Sequence, residues 1–540
     1  MSTLRLHALL LVLLGPVLGN QDPAWSVPSV AQLVPMPQVV TSLQQDAELV
    51  TITGGLLACL SRVAFSGEGD HERLVRALQR EIGQRDAGGS VFVMDGALAE
   101  QACAVEASGR LMTPLYVYEV ERIEGLDAGT DLAGGVHTSS SEAYSLEVGR
   151  RRIAISAVGM AGAFRAVQTL MQMCFLNELD RNREDLPQGE RGAGQECRIA
   201  AVRVVDWPDL ENRGVMLDIS RNRIPTVETA RLLIDTLSAL KINQVQMYTE
   251  HTFAYSSHST VWAQSGAITA AEAQDLSAYA HARFVTLVPN QQSFGHMQHW
   301  LKHKQYANLA ESKAGSRKLW NFDYCCPLFS DEELMPYSLA PNNASLALLT
   351  SLYDELLTAF PHSRAVNIGM DETFDLGDGA SREQVRRVGK HTVYANFLNN
   401  ISAALAERDP PAHAMFWGDI IFEHPHLFLG KLAKDSRVLD WGYEAHAPFA
   451  SRGRALKHHG IKSYVCPGTS SWLSFGGRVT NAVRNVINAA QSGAWFGAEG
   501  MLITDWGDGG HLQVTRGGLP RARAKHLSNT AQGSQTPCGV

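Results

Sequence analysis

Eight short apolar runs between residues 211 and 513, most followed by a helical stretch, predict an α/β chain built mainly on a (β/α)8 TIM-type barrel. The runs are Val215–Ser220, Gln244–Glu250, Phe284–Gln291, Ala365–Glu372, Ala414–Ile420, Arg437–Glu444, Lys462–Pro467 and Met501–Asp505. Each ends in polar or aromatic residues, as strands do where they open onto the functional face of such a barrel. Helix-start signals fall between them. Thr226 can cap a helix whose Val227, Ala230, Leu233, Leu237 and Leu240 share a face. Thr269-Ala-Ala-Glu272 and Ser381-Arg-Glu-Gln384 read as capping boxes. An open α/β sheet has the same alternation, so pattern alone leaves that topology open.

Ahead of the barrel, the spacing predicts a smaller α+β domain over residues 21–200. Ala143–Val148 and Arg152–Ser156 alternate as strands. Gly162–Phe175 reads as an amphipathic helix with Phe164, Val167, Leu170, Met171 and Cys174 on one face. Arg181–Glu196 is polar and Gly-rich, which predicts a loop and a domain boundary near residue 200, with the barrel over 201–513. Residues 1–20 carry Arg5 and His7 ahead of the apolar run Ala8–Leu14, the pattern of a secretory signal. A secreted or lysosomal, endomembrane-lumen location is therefore expected. There, Asn343-Ala-Ser345 and Asn400-Ile-Ser402 become glycosylation acceptors, and the eight cysteines become disulfide candidates. A net charge of −8 with no basic block argues against nucleic acid, and no later run is long enough for a membrane span.

The run Ala365–Met370 reads as a buried strand that ends on two adjacent carboxylates, Asp371 and Glu372. Neighbours on a strand point to opposite faces, so both can serve one site only where the pleat gives way to a loop. Thr373–Gly379 is such a loop. An acid pair there suits glycosidic bond cleavage, in which one group donates a proton and the other manages positive charge. Trp417, Trp441, Trp472 and Trp506 all fall near late strand ends, where aromatic rings can stack on sugar faces or enclose an acetamide methyl. The histidines His296, His299 and His303 could instead hold a metal, but the run lacks the HExxH spacing and no metal is expected.

Arg213-Gly-Val-Met-Leu-Asp-Ile-Ser-Arg221, Phe294-Gly-His296 and Asn367-Ile-Gly-Met-Asp-Glu372 resemble glycoside hydrolase family 20, the β-N-acetylhexosaminidases. Tyr248-Thr-Glu250, Gln292–Met297, Val465–Trp472 and Asp505-Trp-Gly-Asp508 look most like its hexosaminidase D-like branch, in order and approximate spacing. The segment Val34–Pro37 and the Gly162–Met171 helix are similar to the non-catalytic domain that precedes many barrels of this family. The resemblance implies a retaining, substrate-assisted reaction through an oxazolinium, releasing terminal β-linked GalNAc or GlcNAc. Glu372 would be the acid and base, and Asp371 would orient the acetamide. It further implies that Arg213 binds sugar hydroxyls and that His296 is the family histidine near the acid pair; Glu250, from its own place at a strand end, would hydrogen-bond a hydroxyl. Tyr443 and Asp508, with Asp440, are added as candidates at late strand ends.

The expected partner is a glycan or glycoconjugate with a terminal N-acetylhexosamine. No cofactor is expected, and a homodimer is left open. The resemblance stops near Gln513, and residues 514–540 show no helical face. An irregular tail and an incomplete eighth unit are therefore expected, with reduced stability. The alternative to an enzyme is then a catalytically inactive sugar-binding member.

Overall fold

The computed structural model describes strands within residues 39–119, part of a helix within 73–80, and residues 140–149, 152–181, 197–313 and 336–511. The signal segment, the tail from 512, the polar stretch 182–196 and Cys325-Cys326 lie outside the described residues. Seventeen strands are described. β1 to β5 span Val39–Ser42, Leu49–Ile52, Leu56–Ser61, Ser90–Met94 and Thr113–Glu119; β6 to β9 span Tyr144–Val148, Ile153–Ala157, Cys197–Ala200 and Val202–Asp206. Seven of these form one sheet in the order β1-β9-β6-β7-β5-β3-β4, while β2 pairs with β8. The expected alternating pair is the antiparallel β6–β7. β9 belongs to this sheet too, beyond residue 200. The expected helix runs over Met160–Arg181. It is buried on more than its apolar face: Arg165, Gln168 and Thr169 are as buried as Phe164 and Val167. The helix is sandwiched between its own sheet and the larger domain.

The larger domain is an eight-stranded parallel sheet. Its strands are β10 (Asn212–Asp218), β11 (Gln244–Tyr248), β12 (Thr286–Val288), β13 (Ala365–Asn367), β14 (His413–Trp417), β15 (Arg437–Trp441), β16 (Lys462–Cys466) and β17 (Gly500–Asp505). All eight expected runs are present, in the order β12-β11-β10-β17-β16-β15-β14-β13. The two ends meet at a parallel bridge, Asn290 to Asn367, so the barrel is nearly closed. β12 and β13 are three residues each, which leaves little backbone to pair. Period-two alternation sorts the side chains. Met216, Met415, Leu439 and Leu502 meet inside, while Val215, Ala414 and Val438 pack against the surrounding helices. Thr226 caps the helix Val227–Ala239, and Thr269 with Glu272 makes a full capping box. Ser381 does not cap its helix. Its backbone and hydroxyl hydrogens go to buried Glu311 instead, a partner that outbids a local cap. Among the described residues, no helix is long and apolar enough to cross a membrane.

The two domains share a polar seam. Lys241 Nζ lies 2.7 Å from Asp206 Oδ2 and 2.9 Å from the Tyr144 hydroxyl, all three buried. Arg165 donates to the Phe284 carbonyl at 2.9 Å, and Gln168 to the Ser238 hydroxyl at 3.0 Å. Burial pushes the Glu142 carboxyl up, but Arg213 and Arg165 beside it outweigh that and hold it at about 2. Replacing Lys241 with Met should remove the buried cation 2.7 Å from Asp206. The expected cost is about 3–5 kcal/mol, read as an earlier urea midpoint than wild type. An unchanged midpoint would mean that water reaches Asp206.

Candidate active site

The acid pair does not extend β13 as expected. The strand stops at Asn367, and Gly369, Met370 and Glu372 all take positive φ, at 71°, 79° and 52°. The departure is fixed from below. Gly369 donates to the Asn367 side chain at 3.1 Å, and its carbonyl accepts the Trp417 N–H at 2.9 Å. Such backbone is costly for a side-chain-bearing residue and marks a segment held by its surroundings. It also solves the pleat problem, because Asp371 and Glu372 face the same imidazole. His296 Nε2 is 3.3 Å from Asp371 Oδ2 and 3.2 Å from Glu372 Oε2. Two glycines permit this approach. A Cβ on Gly295 would come within 2.4 Å of the Asp371 carbonyl, and one on Gly369 would collide with the Gln292 side chain. Gln292 is thereby free to donate to Asp371 Oδ1 at 2.8 Å.

His296 is buried among carboxylates, with Nδ1 3.5 Å from Glu250 Oε1 on its other side. Burial alone would strip its proton. Asp371, Glu372 and Glu250 together prevail and hold its pKa at about 10, so the ring is an imidazolium at neutral pH. Asp371 feels the converse. Burial raises its pKa, but His296 and the Gln292 hydrogen bond bring it below the ordinary carboxylate value. A raised histidine pKa stabilises the fold fully below the unfolded value of 6.5, and that contribution is lost as pH rises through about 10. The melting temperature should therefore fall between pH 6.5 and 10 more steeply in wild type than in His296→Asn, and parallel curves would refute the charged ring.

Glu250 follows β11 and is almost fully buried. Its Oε1 accepts from Tyr248 at 2.9 Å and pairs with Arg221 at 3.0 Å. Arg221 also reaches Asp218 at 3.3 Å and lies over the rings of Tyr248 and Trp506. Asp508 is close enough for Arg221, Asp218 and Glu372 to act on it; burial raises its pKa above the usual value. The aromatic candidates come together in one cluster. Trp417 and Trp506 are buried in it, with Trp441, Tyr443 and Trp472 packed at its edge. Trp441 stacks on Tyr443 at 5.1 Å, Trp472 meets Tyr443 edge-on at 4.9 Å, and Trp506 Nε1 donates to the Tyr443 hydroxyl at 2.7 Å. Trp417 Nε1 is buried without a partner.

Two expected candidates are elsewhere. Arg213 stands at the first turn of β10, on the same face as outward Val215, at the opposite end of the strand from the acids. It donates to the carbonyls of Lys241 and Leu210 and pairs with Glu142 in the domain seam. The site arginine is Arg221, at the other end of the same motif. Residue parity was the available signal: Arg213 lies an odd number of residues from inward Met216. Asp440 likewise points outward, to Arg452 at 3.1 Å. Sequence reasoning also missed Gln292 as the partner of Asp371, and Asp419, whose Oδ2 accepts the Glu372 N–H at 3.0 Å. Burial, then Asp371, push the Asp419 carboxyl up to about 8. Of the cysteines, Cys466 is a buried free thiol within the aromatic cluster, and Cys174 is disulfide-bonded. Not every cysteine is therefore paired.

Residues 211–496 match the model of the glycosyl hydrolase family 20 catalytic domain, and residues 31–207 match domain 2 of the same family. The chain belongs to glycosyl hydrolase family 20. Among curated relatives of this family 20 chain, human hexosaminidase D is 24% identical over 318 residues, covering 56% of this chain and 61% of that protein. Bovine hexosaminidase D is 25% identical over 241 residues, 44% of this chain and 62% of the relative. The chain thus spans about three fifths of the length of these relatives. Among solved structures, a Vibrio harveyi family 20 exo-β-N-acetylglucosaminidase with bound N-acetylglucosamine superposes with a TM-score of 0.57 at 17% identity. That match covers 88% of this chain and 69% of the other. A Streptomyces plicatus N-acetyl-β-hexosaminidase reaches 0.58 at 17% identity, over 90% and 87% of the two chains. These likenesses carry the fold.

Proposed function

We propose that this chain is an exo-acting β-N-acetylhexosaminidase that releases terminal β-linked GalNAc or GlcNAc by a retaining, substrate-assisted reaction. The supporting observation is that Asp371 and Glu372 both approach one nitrogen of His296. They address the site from one side, whereas a protein nucleophile and an acid would flank the scissile bond. The nucleophile is then the carbonyl oxygen of the sugar's own acetamide. It attacks the anomeric carbon as Glu372 gives its proton to the departing glycosidic oxygen. Asp371, steadied by Gln292 and His296, accepts the acetamide N–H and offsets the positive charge of the oxazolinium. Glu372 then takes a proton from water as that water opens the ring and restores the β-configuration.

Arg221, Glu250 and Asp508 are positioned for sugar hydroxyls, and the Trp417, Trp441, Tyr443, Trp472 and Trp506 cluster for the apolar sugar face and the acetamide methyl. The deciding experiment is turnover of matched aryl β-N-acetylgalactosaminide and β-N-acetylglucosaminide by the purified chain. Release of aryl alcohol with either sugar supports the reading, and the ratio sets the preference. Binding of the free sugars with no turnover would establish a sugar-binding family member instead. A secretory or lysosomal location is proposed from residues 1–20. Asn343 and Asn400 are both exposed, as glycan acceptors must be. Endoglycosidase sensitivity of the expressed chain tests both points.

A further inference from the structure

We propose that Asp419 is a positioning residue for proton transfer, holding the backbone of Glu372 in the left-handed turn that aims its carboxyl at the scissile bond. The inference deepens the proposed activity, and its kinetic test rests on that reading. Asp419 stands two residues past β14, the neighbour of β13 in the barrel. The turn after β13 is pinned from outside itself. The Gly369 carbonyl accepts the Trp417 N–H at 2.9 Å, and the Met370 carbonyl accepts the Tyr394 hydroxyl at 2.9 Å. The Glu372 N–H goes to Asp419 Oδ2 at 3.0 Å. This last contact falls on the acid itself, at φ 52°, where a residue with a Cβ stays only because its surroundings hold it. On the other side of the same residue, the Glu372 carbonyl lies against Gly295, where a Cβ would stand 3.3 Å from it. With its amide and carbonyl both fixed, the direction in which the Glu372 side chain leaves the backbone is fixed as well.

Among the described residues no cation pairs with Asp419, and its Oδ1 is buried without a hydrogen-bond partner. The titratable groups that face it are two carboxylates, Asp371 and Glu372, and the Tyr394 phenol. Burial first, then Asp371, and Glu372 to a lesser degree, push its carboxyl up to about 8. A protonated carboxyl still accepts through its carbonyl oxygen, so the contact needs an oxygen and not a charge.

The test compares wild type, Asp419→Ala and Asp419→Asn as purified full chains on aryl β-N-acetylhexosaminides with good and poor leaving groups, rates normalised to folded protein. Asp419→Ala removes the acceptor. Its kcat is expected to fall about 10²-fold with KM little changed. The loss should shrink for a dinitrophenyl glycoside, whose departure needs no proton. Asp419→Asn keeps a carbonyl oxygen in place and should recover most of the rate. A merely structural role would lower the melting temperature of Asp419→Ala and leave the rate per folded molecule at the wild-type value. That result would overturn the proposal, and so would an equal loss for every leaving group, or Asp419→Asn as slow as Asp419→Ala. Deuterium exchange at the Glu372 amide is the second readout, with protection expected in wild type and Asp419→Asn and lost in Asp419→Ala. If wild type cleaves no substrate, the activity reading fails and amide protection alone decides the positioning: equal protection in wild type and Asp419→Ala sinks it. Should Asp419→Ala not fold, Asp419→Ser takes its place, because its oxygen falls short of the Glu372 N–H.

Discussion

Glu372→Gln is expected to lower kcat/KM for an aryl β-N-acetylhexosaminide by about 10³-fold, with KM little changed. The amide keeps the shape of the side chain and its place near His296, 3.2 Å away in the native protein, but has no proton to give. The loss should depend on the leaving group. An aglycone that departs as a stable phenolate needs no protonation, so a dinitrophenyl glycoside should recover much of the first-step rate. Steady-state rates across a series of aryl leaving groups make the comparison. An equal loss for good and poor leaving groups would show that Glu372 is not the acid. Glu372 is also the residue whose backbone turns at φ 52°, with its N–H on Asp419. The substitution leaves the backbone unchanged, so the melting temperature should stay close to wild type.

Arg221→Ala should have the second large effect, and it separates two arginines that the motif alone does not. Arg221 neutralises Glu250 at 3.0 Å and Asp218 at 3.3 Å, and both carboxylates are buried. Removing it leaves buried Asp218 without its counter-charge and Glu250 with His296 alone, which should cost about 3–5 kcal/mol of stability. It also frees Glu250 to pull on His296, and displacement of that ring should lower kcat/KM on the order of 10²-fold. Arg213→Ala should instead weaken the domain seam and leave the rate per folded molecule unchanged. Urea melts alongside active-site-normalised rates distinguish the two. If Arg213→Ala lost activity and Arg221→Ala did not, the assignment would be reversed.

The barrel was legible because its signals are local. Each strand is a short apolar run that stops at polar residues, and two of the three expected helix caps form as written. The third, Ser381, failed because Glu311 lies seventy residues away, and no local pattern contains it. Strand ends were overextended at Phe284–Gln291 and Ala365–Glu372. In both, the run continues past the last ladder bond into a loop, which in Ala365–Glu372 is built by positive φ and side-chain hydrogen bonds.

The sequence by itself determined the two-part architecture, the eight strands, the acid pair at a strand end and the tryptophans near the later ends. Those follow from periodicity and from which residue types stand where a run stops. Only the tertiary structure decided which polar groups share a space. Glu250, His296, Asp371 and Glu372 come from three separate strand ends, and their charges converge when the barrel curls. The same curling carried Arg213 to the seam and Arg221 to the site, although eight residues separate them. Strand direction and side-chain parity fix which end and which face each residue occupies, and long-range pairing then fixes the neighbours that set its charge.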